Sequence, residues 1–391
     1  KIYEIFLTEQ LVLLENNTIG IGKKKDCQNR SVVTTPTEIV KYMVDKTLSK
    51  VCEGKTPSEI LDISVADIAC GSGIFLEEAF ACLQDYCVQW YICNGQTDHL
   101  IETGIDLYKL PLQEKKDILC SCIYGIDIDI HAVEVAKFSL LIKLIEDETA
   151  PSVSEVVPIL PDLGDNIQFG NSLVSQTELN GISGANHQMM EIAPFDWSTI
   201  NNGCGFDVII GNPPYVNTEG MHALLPSAEV EIYKKKYKTS HKQFDKYFIF
   251  IEQAINKINE NGLVCYIVPN KFFKIGAGEK LRNLIAKERM LVSLDDFGDA
   301  QLFEDKTIYS SIILLSKAKQ TSFVYSSVDS ANKLWAGEEV SSIELNSSVL
   351  NKLPWRLTTD FEFLTMLQRL DEVSVPITKH AEIFNGIQTS A

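Results

Sequence analysis

Val65-Ala66-Asp67-Ile68-Ala69-Cys70-Gly71-Ser72-Gly73-Ile74-Phe75 is an apolar run that breaks at two glycines and resumes with helical spacing. Residues 65–69 read as a buried strand, and a helix over 73–90 follows the turn. Gly71 and Gly73 carry no Cβ, so a ligand can come close to the backbone, and the free amides opening the helix suit a nucleotide-like group. A lone GxG turn also occurs in dinucleotide-binding folds and in ordinary tight turns. Its surroundings have to decide between them.

Outward from this turn the chain alternates. Strand 122–127, helix 131–146, a short strand at 167–169, strand 206–211, helix 245–259, strand 263–268, helix 277–287, strand 290–297 and strand 308–316 follow in order. The pattern predicts an α/β fold, a doubly wound, mostly parallel seven-stranded sheet with helices on both faces. The short connection between the last two strands predicts an antiparallel hairpin at one edge. Residues 151–205, rich in Pro, Ser, Asn and Gly, read as an irregular insertion around one short strand, and nothing repeats at a fixed period. Upstream, Thr34-Thr35-Pro36-Thr37-Glu38 opens a helix capped by Thr35 with Pro36 at its first position, and Ile39, Val40, Met43 and Val44 form its apolar stripe. Residues 1–33 read as a helix and a Gly- and Lys-rich loop, 34–330 as the catalytic domain, and 331–391 as a linker leading into a further domain.

Composition narrows the function classes. The 391 residues are 45% hydrophobic and 23% charged, within the range of folded soluble proteins. No apolar run approaches the ~18 residues that span a bilayer, and Lys1 to Thr8 lacks the layout of a signal peptide, so the expectation is a cytoplasmic protein without a membrane partner. A first residue other than Met reads as a piece of a longer chain. Cys70, Cys82, Cys87, Cys120 and Cys265 lie in apolar stretches, as free thiols do in a reducing compartment. No CxxC pair occurs and the six histidines are scattered, so no metal site is expected. A net charge of −18 argues against a nucleic-acid coat. Two local clusters, Lys234, Lys235, Lys236, Lys238 and Lys242, and Lys23, Lys24, Lys25 and Arg30, fit either phosphate contact or a solvated surface.

Two further strand ends carry chemistry. Tyr124-Gly125-Ile126-Asp127-Ile128-Asp129 ends in acid, and Asp127 at a strand end can accept hydrogen bonds from both ribose hydroxyls. With the glycine turn it suggests an adenosine cofactor, while Asp129 also fits a helix cap. Asp207-Val208-Ile209-Ile210-Gly211-Asn212-Pro213-Pro214-Tyr215 is an apolar strand ending in a stiff polar and aromatic tip. Two prolines fix the backbone and remove two amide donors, leaving carbonyls to accept. The Asn212 side-chain oxygen and the Pro213 carbonyl can take both protons of an exocyclic NH2, and Tyr215 offers a flat face to a base.

The Asn212-Pro213-Pro214-Tyr215 tetrad behind the glycine turn resembles the N6-adenine DNA methyltransferases. Thr35-Pro36 ahead of that turn narrows the resemblance to the gamma class, including the methylase part of type IIG restriction-modification enzymes, and it runs from about Thr34 to the last residue. Gly170-Asn171-Ser172-Leu173, Asp245 to Glu252, Val268 to Phe273 and Tyr309 to Ser316 add to it. The resemblance implies a Rossmann-like fold that uses S-adenosyl-L-methionine, double-stranded DNA as partner, and a restriction nuclease fused or alongside. It implies that Thr35, Pro36, Asp67, Ala69, Cys70, Gly71 and Gly73 border the cofactor and that Asp127 holds its ribose. It further implies that Ile128 packs on the cofactor adenine and Asn171, where relatives often carry Asp, bonds the adenine edge. Asn212, Pro213, Pro214 and Tyr215 would hold the target adenine. The position aligned with a second stacking aromatic is Gly278, so Phe272 or Phe273 is the candidate in its place, although two phenylalanines after a strand also suit a core. Ile383 to Ser390 resembles the opening of a target-recognition domain.

The activity implied is direct methyl transfer to the N6 of an adenine flipped out of the duplex. A methyltransferase of a protein glutamine or of ribosomal RNA shares the Asn-Pro-Pro tip, but such chains are generally shorter and lack the Thr-Pro motif. A noncatalytic DNA-binding subunit of the same fold would be expected to have lost Asn212 or the glycine turn, and this chain keeps both.

Overall fold

The computed structural model describes residues 9–13, 19–23, 35–149, 157–179, 185–300, 302–303, 309–335, 337–375 and 377–382. Its centre is a nine-stranded sheet. The strands are β1 (Val65–Asp67), β2 (Ile123–Asp127), β3 (Ile167–Phe169), β4 (Phe206–Gly211), β5 (Ile258–Pro269), β6 (Leu291–Asp296), β7 (Ser310–Ser316), β8 (Ser322–Ser327) and β9 (Ser341–Asn346). Across the sheet they run β9-β8-β6-β7-β5-β4-β1-β2-β3. Pairs β3/β2, β2/β1, β1/β4, β4/β5 and β6/β8 are parallel, whereas β7 runs antiparallel to both neighbours and β9 to β8.

All seven expected strands are present, within a few residues of the expected bounds. Two more, β8 and β9, extend the sheet beyond β6, so the antiparallel β6/β7 pair lies inside the sheet instead of at its edge. The expected domain boundary at 330 is therefore crossed by the packing. β9 belongs to the same sheet, and Trp355 stacks on Phe273 with centroids 5.9 Å apart. In the first segment the helix expected within 1–33 is replaced, where described, by an antiparallel ribbon of Glu9–Leu13 and Ile19–Lys23, whose Ile and Val residues favour extended chain. Lys24, Lys25 and Arg30 of the second basic cluster, and Ile383 to Ser390, lie outside the described residues.

Helices sandwich the sheet. On one side lie α1 (Thr37–Cys52), α2 (Ile74–Cys93), α3 (Leu112–Cys122) and α4 (Ile130–Ile145); on the other lie α5 (Ser227–Lys236), α6 (Lys246–Lys257) and α7 (Glu279–Lys287). Side chains alternate along each strand. Val208 and Ile210 of β4 accordingly join the α1–α4 layer, while Ile209 joins the α5–α7 layer. Burial on both faces is what makes β4 and β7 read as unbroken apolar runs. All parallel strands from β1 to β5 point one way, so the glycine turn, Asp127 and the Asn212 tip emerge together at one carboxyl edge, where open α/β sheets bind ligands.

Candidate active site

The turn after β1 places Gly71 at φ +53° and Gly73 at φ +89°, conformations that glycine adopts without strain. A Cβ on Gly73 would stand 3.1 Å from the Ala136 Cβ of α4, so the absence of a side chain also lets the two helices meet. Asp127 braces the turn: its carboxylate accepts from the Gly71 amide at 2.8 Å and the Asp129 amide at 2.9 Å. Burial raises the Asp127 pKa, and those two amides pull it back. One lone pair on each oxygen is left for a hydroxyl. Asp129 caps α4, accepting from the His131 amide at 2.9 Å, so the helix-cap alternative holds for that residue.

Beside Asp127 the edge is apolar and open. Ile128 is 41% exposed and Phe169 44%, the dry and accessible surface that the flat face of an adenosine cofactor needs. The sequence places Phe169 at the end of the short strand 167–169, but a lone aromatic there belongs to no motif that would single it out. Cys70 turns inward, with its Sγ packed toward Gly125, so only its backbone faces the turn.

Asn171 departs from expectation. Its side chain is 3% exposed and both ends are engaged, Oδ1 accepting from the Leu173 amide at 3.1 Å and Nδ2 donating to Glu229 at 3.0 Å. The amide therefore faces the interior, not a ligand's edge. Glu229, 1% exposed, also accepts from the Tyr233 hydroxyl and lies 3.9 Å from the Lys246 ammonium, whose charge favours the ionised form of Asp127. This buried network behind the cofactor edge was invisible in sequence, since Asn171 and Glu229 are 58 residues apart.

Asp67 joins the two motifs. It is 3% exposed, its Oδ1 accepts from the Ala69 amide at 3.0 Å, and a Cβ on Gly211 would lie 2.6 Å from that same oxygen. Gly211 is needed there so that the strand can pass the carboxyl. Burial, with help from the charge of Asp127, pushes the Asp67 pKa up to about 8.

At the tip, Asn212 Nδ2 donates to Thr35 Oγ1 at 3.0 Å, and the Tyr215 hydroxyl lies 2.5 Å from Asn212 Oδ1 and 2.9 Å from the Ile267 carbonyl. Thr35 was expected to cap α1 with Pro36 as its first residue. Instead Pro36 takes the cap position without a side-chain bond, and the buried Thr35 hydroxyl holds the Asn212 amide. That bond assigns the nitrogen of Asn212 to the protein and turns its oxygen toward the tip. No donor among the described residues reaches the Pro213 carbonyl. Tyr215 is half-buried and meets Tyr247 edge-on at 5.9 Å.

Phe272 and Phe273 do not reach the tip. Their rings are 0% and 4% exposed and pack on each other and on Trp355, because the short 3-10 turn Asn270–Phe273 directs both inward. Neither offers a face to a base. Gly278 cannot carry an aromatic either, since a Cβ there would stand 2.3 Å from the Phe272 carbonyl oxygen. Of the lysine cluster, Lys235 pairs with Glu231 at 2.6 Å and Lys236 with Glu178 at 2.8 Å. A polar cleft of about 510 Å³ at the opposite edge is lined by Asp62, Ser64, Tyr124 and Asp207 among others, and by neither the glycine turn, Asp127 nor the Asn212 tip. The acceptors, the open apolar surface and the glycine turn converge at the carboxyl edge.

The family model described as Eco57I restriction-modification methylase matches residues 121–303. The chain is 40% identical over 394 residues to the type II restriction enzyme and methyltransferase RM.Eco57I of Escherichia coli, a match covering 100% of this chain and 38% of that protein. It is 27% identical over 199 residues to the type II methyltransferase M.XhoI of Xanthomonas vasicola, covering 46% of this chain and 35% of that one. The chain thus corresponds to little more than a third of either relative's length. A nuclease-deletion mutant of the type ISP restriction-modification enzyme LlaGI with a DNA substrate mimic superposes with TM-score 0.56 at 16% identity, over 86% of this chain and 28% of that chain. A DrdV–DNA complex superposes with TM-score 0.55 at 15% identity, over 84% and 31%. These two share the fold.

Proposed function

Because residues 121–303 match the Eco57I restriction-modification methylase model, we propose that the chain is the methyl-transferring part of a restriction-modification enzyme, acting on N6 of an adenine turned out of duplex DNA with S-adenosyl-L-methionine as donor. The observation that carries this reading is the tip itself, where Thr35 fixes the Asn212 amide and the Pro213 carbonyl has no donor among the described residues. Two oxygens so arranged take both protons of an exocyclic amine, which turns the nitrogen lone pair out of the ring and toward the glycine turn. Asp67, between the two strand ends, sets their spacing and lines the cationic end of the donor. The cofactor, when bound, supplies a methyl group on a sulfonium. The remaining work is positioning, a contribution of up to about 7–11 kcal/mol to the barrier. Extruding the base costs a few kcal/mol, and stacking on the Tyr215 ring returns about 1–3 kcal/mol.

Double-stranded DNA as partner, a nuclease fused or alongside, and the cytoplasm as the setting belong to the same proposal; the name of the Escherichia coli restriction enzyme and methyltransferase supports the nuclease, and the DNA substrate mimic of the LlaGI complex supports the DNA. Among the described residues no helix is long and apolar enough to cross a membrane. The test is transfer of labelled methyl from S-adenosyl-L-methionine by the full-length protein to unmethylated DNA, RNA and protein in parallel, followed by nucleoside analysis. Label in N6-methyladenine is the expected product. Label confined to N4-methylcytosine, to RNA or to a protein glutamine contradicts the proposal.

A further inference from the structure

Asp245 holds the N-cap position of α6, yet its side chain makes no capping bond. An aspartate there ordinarily accepts from a first-turn amide and stabilises the helix start. Here Oδ2 accepts instead from the Lys271 ammonium at 2.8 Å, while Oδ1 is buried with no partner among the described residues. With Asp245 only 4% exposed, the unsatisfied carboxylate oxygen also goes without the hydration it has lost. The arrangement gives up two sources of stability to hold one lysine, whose own side chain stays 46% exposed.

That lysine stands at the rim of the tip. Asp245 pairs with Asn217, two residues beyond Tyr215, and the Lys246 amide donates to the Val216 carbonyl at 2.8 Å. Lys271 follows the end of β5, the strand whose Ile267 carbonyl lies against the Tyr215 hydroxyl. Burial and then the charge of Asp245 hold the Tyr215 hydroxyl well above its usual pKa.

An ammonium already balanced by a buried carboxylate gains little from a phosphate, but it keeps N–H donors for a neutral acceptor. We infer that Lys271, set in place by Asp245, donates a hydrogen bond to a ring nitrogen of the extruded adenine and so reads the base. This rests on the adenine reading proposed above. Lys271 touches the substrate, and Asp245 acts through it as a positioning residue.

The test uses the full-length protein and DNA whose target adenine is replaced by 1-deaza-, 3-deaza- or 7-deazaadenine. One of the three should lower wild-type kcat/KM about tenfold. Lys271→Met should lose about the same factor on ordinary adenine and become indifferent to that analogue, and Asp245→Asn should weaken the discrimination without changing cofactor affinity. Lys271 is half-exposed, so the Met variant is expected to fold. An analogue preference that survives in Lys271→Met, or a wild type indifferent to all three analogues, overturns the inference while adenine methylation stands. A drop of about one in the salt slope of DNA binding with discrimination intact makes Lys271 a phosphate contact and overturns it too. A wild type that methylates no adenine overturns the proposed function itself.

Discussion

Strands β1 and β4 lie side by side and end at the same edge, yet their ends have opposite polarity. After β1 the chain presents amides, and carboxylates gather around them, Asp127 on Gly71 and Asp67 on Ala69. After β4 two prolines remove the amides, and the chain presents oxygens. The contrast comes from the four or five residues that follow each strand, since the strands themselves are equally apolar and buried. A parallel sheet edge is thus divided into a donor-rich half and an acceptor half, and Gly211 with Asp67 is the seam.

The acceptor half can be broken most severely. Asn212→Ala is expected to cut turnover by about 10²–10³-fold or more, the scale seen when one preorganised polar group is lost from a transition state, with cofactor affinity near normal. Unchanged turnover in a steady-state assay removes Asn212 from the proposed role. The donor half is probed by Asp127→Ala, which loses the acceptor bracing the Gly71 and Asp129 amides. With charged hydrogen bonds contributing about 1.5–3 kcal/mol, cofactor affinity should fall about 10–100-fold by calorimetry, and an unaltered affinity refutes the assignment.

The seam answers to Gly211→Ala, whose new Cβ meets the Asp67 carboxyl at 2.6 Å. A destabilisation of about 1–3 kcal/mol by denaturant titration is expected, with losses in both cofactor affinity and turnover. Loss of only one of the two would show that the halves are independent. The smallest effect is a pH dependence. With its pKa pushed up to about 8 by burial, Asp67 is mostly protonated at neutral pH. Its contribution to folding stability is full below the ordinary carboxylate range of about 4 and is lost as pH rises through about 8. A cationic ligand favours the ionised form, so cofactor affinity should climb with pH up to about 8, and Asp67→Asn should flatten the climb. Calorimetry in buffers of different ionisation enthalpy would report the proton released, and a flat wild-type profile contradicts the linkage.

Seven strands and both tips were legible because apolar runs ending in Gly, Asp or Pro announce themselves locally. What was not legible depends on distant partners. Thr35 meets Asn212 across 177 positions, and only that contact distinguishes a helix cap from a side-chain clamp. β8 and β9 were missed because their serine-rich sequences alternate weakly between buried and exposed. Phe272 and Phe273 have the composition of a stacking site and the geometry of a core, and only the turn direction separates the two.

The most direct test is a crystal structure of the full-length protein with a nonreactive analogue of S-adenosyl-L-methionine and duplex DNA containing the target. An extruded adenine with its N6 within about 3 Å of both Asn212 Oδ1 and the Pro213 carbonyl is the predicted result. An adenine left in its stack, or seated with N6 turned away from those two oxygens, would contradict the account.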